Sequence, residues 1–229
     1  MQEDKIDFYK GHRQRIRERF TISQKSIPDY ELLEMLLFLA FPRKDTKELS
    51  KILFKKFGNL QAIINADIEQ LKDVKGIGES AIFIIRLFHE IHLRILKDNI
   101  FNKEIKLNST EAVEKYCKAS MGNLTHEQVL ALFINNSSNL VAEEVINVGN
   151  VDEAKVCKNI LISKATQNGA VGVILVHNHP SGSAKPSAED KLLTLDIQRT
   201  LRQVDISLLD HIIVSKKETF SFSRNNLIR

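Results

Sequence analysis

The stretch VGVILVHNHP, residues 171–180, restricts the fold more than any other part of the chain. Val171 to Val176 is a run of β-branched and apolar residues with no polar alternation. Such a run reads as a strand buried on both faces, which requires further structure packed above and below it. The run ends in His177 and His179. Side chains at i and i+2 of a strand point to the same side, so both imidazoles can aim at one point. The chain then turns through PSGSAKP, where Gly182 allows a tight turn and Pro186 restricts the approach to Ser187. It enters a helical pattern at Ser187-Ala-Glu-Asp190.

Two readings of this stretch compete. Ser-x-x-Asp before a helix is a capping signature, with Ser187 as N-cap and Asp190 at the third helical position. Equally, Asp190 in the first helical turn can reach back to the strand end. Two histidines and one aspartate then supply three ligands and leave a fourth position open, the pattern of a catalytic rather than a structural zinc. Other zinc chemistries fail on their motifs. A deaminase needs His-x-Glu with Pro-Cys-x-x-Cys, and a gluzincin needs His-Glu-x-x-His. HEIH at 89–92 is one residue short, so His89 and His92 read as structural, and His211 reads as a strand histidine near the core. Cys117 and Cys157 have no metal-like spacing and read as packing residues.

The texture of the chain changes at the polar stretch 97–110. Before it, helical periods dominate: DYELLEMLLFLAF with Asp29 as N-cap, TKELSKILFKKFG ending at Gly58, and AIFIIRLFHEIHLRILKD. After it, strands are predicted in HEQVLALFIN, NLVAEEVINV, VGVILVHN, SLLDHIIVS and TFSFSR. Helices are predicted in DEAKVCKNILISKATQNGA and over 188–204. The expected fold is therefore two-domain, an all-α domain at 1–104 followed by an α/β (α+β) mixed-sheet domain at 107–229.

Composition sets outer limits. At 43% hydrophobic and 27% charged, the chain is an ordinary globular one and not disordered. No apolar run reaches the ~18 residues of a membrane span, and the polar start MQEDKIDFYK is no secretory signal. No membrane partner is expected. Two cysteines form no framework, so a reduced cytoplasmic setting is the simplest expectation. Residues 1–106 hold 20 Lys+Arg against 16 Asp+Glu, and residues 107–229 hold 13 against 13. The basic excess lies in the N-terminal half, which permits an anionic partner without demanding one. GHRQRIRERF carries Arg13 and Arg17 on one helical face and Arg15 and Arg19 on another, read as a solvated helix with some anion affinity.

His-x-His, seven residues and Ser-x-x-Asp resembles the JAMM motif of MPN-type metalloproteases. HNHPSG followed by the PSAED of the helix start resembles its bacterial branch, the RadC family. DYELLEMLLF, PRKDTKELSK, FGNL, KGIGESA and LDHIIVS are similar to RadC segments in the same order, so the resemblance covers nearly the whole chain. It implies an MPN/JAB-type domain holding one zinc ion per chain through His177, His179 and Asp190, with no nucleotide cofactor. Ser187 would steady the oxyanion and an upstream glutamate would act as general base on a peptide or protein substrate. Glu143 and Glu144 are adjacent and face opposite sides of a strand, so only one can serve; reading back from Gly149, the resemblance selects Glu144. The chain departs from the family at Asn150 and at Cys157-Lys158-Asn159-Ile160.

VKGIGESA, residues 74–81, is similar to the hairpin of a helix-hairpin-helix motif spanning about 67–90. Gly76 and Gly78 would let backbone N–H groups meet a phosphate at a helix start, and Lys72 and Lys75 would supply charge. This makes DNA an expected partner of the N-terminal domain, independent of base sequence. The competing reading is a plain αα turn. Two functions follow: a JAMM-class zinc metallopeptidase brought to DNA or DNA-bound proteins, or a DNA-binding accessory protein of repair or recombination with a non-catalytic zinc site.

Overall fold

In the computed structural model the described residues are 11–101, 110–146 and 151–228. They form two compact units that divide between His92 and Leu93. Helices α1 (His12–Ile22), α2 (Asp29–Ala40), α3 (Lys47–Phe57), α4 (Leu60–Ile64) and α5 (Ile68–Lys72) and most of α6 (Glu79–Phe101) build the first. The division falls inside α6, ahead of the polar stretch that marks the change in sequence texture. The physical reason is local: Leu96 and Ile100, late in α6, pack with the sheet unit.

The helical unit closes around Leu33, Leu37, Leu53, Ile63, Leu71, Ala81 and Ile85. Asp29, expected as N-cap of α2, is instead its first helical residue. Pro28 holds the cap position, and its carbonyl accepts from the backbone N–H groups of Glu31 and Leu32. On α3, Leu49 and Leu53 are buried whereas Ile52 is exposed. Gly58 closes that helix at φ 92, a left-handed geometry that glycine adopts without strain.

The arginines of α1 are not simply solvated. Arg13 donates to the carbonyls of Phe41, Pro42 and Lys44, and with Arg17 it lies over the Phe38 ring. Arg19 pairs with the buried Glu31 at 2.5 Å. His12 meets the fully buried Glu34 at 2.8 Å; burial pushes the Glu34 carboxyl up while His12 opposes it. Polar positions of α1 thus fasten it to α2.

The second unit holds one five-stranded mixed sheet in the order β2-β1-β3-β4-β5. The strands are β1 (Val129–Ile134), β2 (Leu140–Ile146), β3 (Gly172–Asn178), β4 (Ser207–Val214) and β5 (Thr219–Ser221). Among the described strands only β3 and β4 pair in parallel, joined by the crossover helix α9 (Ala188–Arg202). Val173, Leu175, Ala131 and Phe133 face α8 (Val151–Gln167) and α9 through Leu161, Ala165, Ile197 and Leu201. Ile174, Val176, Leu130 and Leu132 face α7 (Thr110–Met121) through Val113, Tyr116, Cys117 and Met121. Both faces are covered, which explains why β1 and β3 lack polar alternation. Helix α7 lies where no element was expected, although Val113, Tyr116, Cys117 and Met121 follow a helical period. Among the described residues, no helix is long and apolar enough to cross a membrane.

Candidate metal centre

The centre lies where β3 ends and α9 begins. His177 is near the last position of β3, and the backbone N–H of His179 still donates to Val214 O of β4 at 2.8 Å, so the sheet fixes both histidines. The chain turns back with Gly182 at φ 93, its N–H donating to His179 O. Ser187 then caps α9. Its hydroxyl accepts from Asp190 N at 3.0 Å, while Ser187 N and Oγ both donate to Asp190 Oδ2 at 2.7 Å. The capping reading is therefore correct, and the cap itself aims the Asp190 carboxylate at the strand end.

There His177 Nδ1 lies 3.1 Å from Asp190 Oδ1, and His179 Nε2 lies 3.5 Å from Asp190 Oδ2. One ligand atom from each of the three residues falls within 4.8 Å of the others. Two imidazole nitrogens and one carboxylate oxygen grouped this closely form a donor set of the kind that holds a divalent metal ion, zinc among them. His179 Nδ1 donates to Ser183 O at 2.9 Å, leaving Nε2 as the free acceptor nitrogen. This is the outer hydrogen bond by which proteins set the tautomer of a metal-binding histidine. Burial acts to raise the Asp190 carboxyl, but the hydrogen bonds from His177 and Ser187 outweigh it and hold the group well below the usual carboxylate range.

Glu144 and Glu143 face opposite sides of β2, as expected. Glu144 pairs with Ala131, which pairs with Leu175, placing it on the α8–α9 side where Val173, Leu175 and His177 alternate. Glu143 faces the other side, bonded to Tyr116 at 2.7 Å and Lys97 at 2.7 Å. Two inter-strand spacings separate β2 from β3, on the order of 10 Å. Glu144 makes no hydrogen bond to the His-His-Asp group; its Oε2 meets Lys164 of α8 at 3.1 Å. Lys164 carries no sequence motif, and only helix packing reveals it. Gly149 and Asn150 lie outside the described residues, as does the Cys157 side chain; Lys158 bonds Asp196 of α9 at 2.7 Å.

His211 is buried on β4, and burial, with His177 nearby, pushes its imidazole down to about 3. His89 is also buried, bonded to Asn65 at 3.2 Å, and burial pushes it down to about 4. Cys117 is buried in the core, as expected.

In the helical unit, α5 and α6 are joined by a tight turn with Val74 and Ile77 buried and Gly76 at φ 94. Lys72, Lys75, Gly76 and Gly78 are exposed on this turn. Lys72 bonds Glu69 at 2.8 Å, and Lys56 lies 3.7 Å from Asp73, so acidic neighbours offset part of the positive charge.

The family model for the RadC-like JAB domain matches residues 107–227, a span that holds α7 to α9 and all five described strands, and the chain belongs to this family.

Proposed function

We propose that this chain is a zinc-dependent metallopeptidase of the JAMM class, hydrolysing a peptide or isopeptide bond of a protein substrate in the cytoplasm. The observation that carries this reading is the convergence of His177, His179 and Asp190 with their ligand atoms within 4.8 Å. His177, His179 and Asp190 would hold one zinc ion. Bound there, zinc supplies Lewis acidity that polarises a carbonyl and brings a proton of water within reach of a carboxylate base at neutral pH. Glu144, released from Lys164, takes that proton and passes it to the leaving amine. The Ser187 hydroxyl turns from Asp190 Oδ2 to donate to the oxygen on which charge develops. The helical unit, through the α5–α6 turn, would bring the enzyme to the phosphate backbone of DNA as a helix-hairpin-helix.

A second reading, a DNA-binding accessory protein with a non-catalytic zinc, has one observation in its favour. Both side chains assigned to chemistry are already engaged, Glu144 with Lys164 and Ser187 with Asp190. Metal analysis and a trap variant separate the two. The purified protein should carry one zinc per chain, lost in His177→Ala. Glu144→Gln should keep the metal and retain bound protein substrate from a cell extract. A zinc-loaded Glu144→Gln protein that captures nothing, beside a wild type without hydrolytic activity, would favour the accessory reading.

A further inference from the structure

We infer that His211 and Thr194 are positioning residues that lock the β3 and α9 metal ligands to one another. The inference rests on the zinc reading above. Thr194 lies one helical turn beyond Asp190 on α9, and its hydroxyl is 2.5 Å from the Asp190 carbonyl oxygen. His211 Nδ1 is 2.6 Å from the same hydroxyl. A carbonyl oxygen only accepts, so the hydroxyl proton goes to Asp190, and His211 Nδ1–H donates to Thr194 Oγ1. One arrangement of protons satisfies the chain. The His211 ring also lies nearly parallel to His177, at 9° and 6.5 Å between centroids, and is backed by Phe222 at 4.7 Å. A single side chain of β4 therefore meets the support of Asp190 on α9 and the ring of His177 on β3.

A helical threonine bonded to the carbonyl four residues back is ordinary. A fully buried imidazole beside it is not, because an apolar side chain would fill the same space without desolvating two ring nitrogens. His211, Thr194 and Phe222 are each 1% exposed. The place is closely packed, and a small error in the angle of His177 or the first turn of α9 would pass directly to the ligand set. Outer partners of metal ligands act in this way, by holding ring planes and carboxylates in the productive geometry.

The test uses Co²⁺ as a spectroscopic substitute in the full chain. Thr194→Val keeps the shape and removes the hydroxyl; Thr194→Ser keeps the hydroxyl. Thr194→Val should weaken Co²⁺ binding by about 10- to 100-fold and shift the visible d–d bands. Thr194→Ser should restore both. Unchanged affinity and bands in a folded Thr194→Val protein, with wild type binding one Co²⁺, would overturn the brace and leave the zinc reading intact. A wild type that binds neither Co²⁺ nor Zn²⁺ would remove the zinc reading and the brace together. Should Thr194→Val not fold, the long-range ¹H–¹⁵N spectrum of wild type decides the matter. A neutral His211 protonated at Nδ1, with and without zinc, supports the brace; protonation at Nε2 overturns it.

Discussion

The Nδ1 of His179 is held 2.9 Å from the carbonyl oxygen of Ser183, so its other nitrogen, Nε2, faces Asp190. The loop that follows the strand thus chooses the tautomer of a residue the strand has already aimed. With the Ser187–Asp190 cap, this makes the three-residue group preorganised, and a preorganised site binds without first ordering its ligands.

Zinc should therefore stabilise the fold by mass action. At free zinc about 100-fold above its dissociation constant, the gain is about 2.7 kcal/mol. Thermal unfolding with and without a chelator measures it. Asp190→Ala should show no chelator effect, since one of the three donors is gone.

Glu144→Gln should keep the metal and lose about 10²- to 10⁴-fold in hydrolysis, the range for a lost general base. Glu143→Gln should leave hydrolysis unchanged, because that carboxylate faces Tyr116 on the opposite side of the sheet. Equal losses in both variants would count against the assignment of Glu144.

Ser187 has two duties that can be measured apart. As N-cap it should contribute about 1 kcal/mol to folding, seen in urea unfolding of Ser187→Ala. As an oxyanion donor it should contribute on the order of 3 kcal/mol to the transition state, seen in kcat. A loss of folding stability with kcat unchanged would leave Ser187 as a cap alone.

His89 should make the fold sensitive to mild acid. Burial lowers its folded pKa to about 4, so between the ordinary value of 6.5 and about 4 the unfolded chain binds a proton that the folded chain does not. Stability contributed by neutral His89 is present above that window and falls as pH drops through it. In His89→Gln, the decline of urea stability from pH 7 to pH 4 should be shallower than in wild type.

Binding of the full chain to duplex DNA should weaken steeply with salt if the α5–α6 turn contacts phosphates. Replacing Lys72 and Lys75 with alanine should reduce the salt slope by about 1–2, one for each lost phosphate contact. Anisotropy at two salt concentrations checks this; a slope unchanged by the double substitution would leave the turn as a plain helix connection.

Much of the sheet unit was legible because its signals are local. The apolar run before His177 declared a strand covered on both faces, and the i, i+2 spacing of His177 and His179 follows from strand geometry alone. Ser-x-x-Asp declared a helix start, and the structure makes it a cap and an aimed carboxylate at once. Helix α7 escaped notice because its polar surroundings hid a short apolar stripe. The charged face of α1 was misjudged because a sequence does not show that Glu31 and Glu34 lie buried beneath it.

By itself, then, the chain determined which residue types stand at a strand end and at a helix start, since backbone periodicity is set within a few residues. Only the tertiary structure decided that Lys164 would meet Glu144, that Ser183 would hold Nδ1 of His179, and that His211 would meet Thr194 of α9 beside the ring of His177. Those partners come from separate elements of the unit, and nothing in local sequence encodes a contact that forms only when helices and strands pack together.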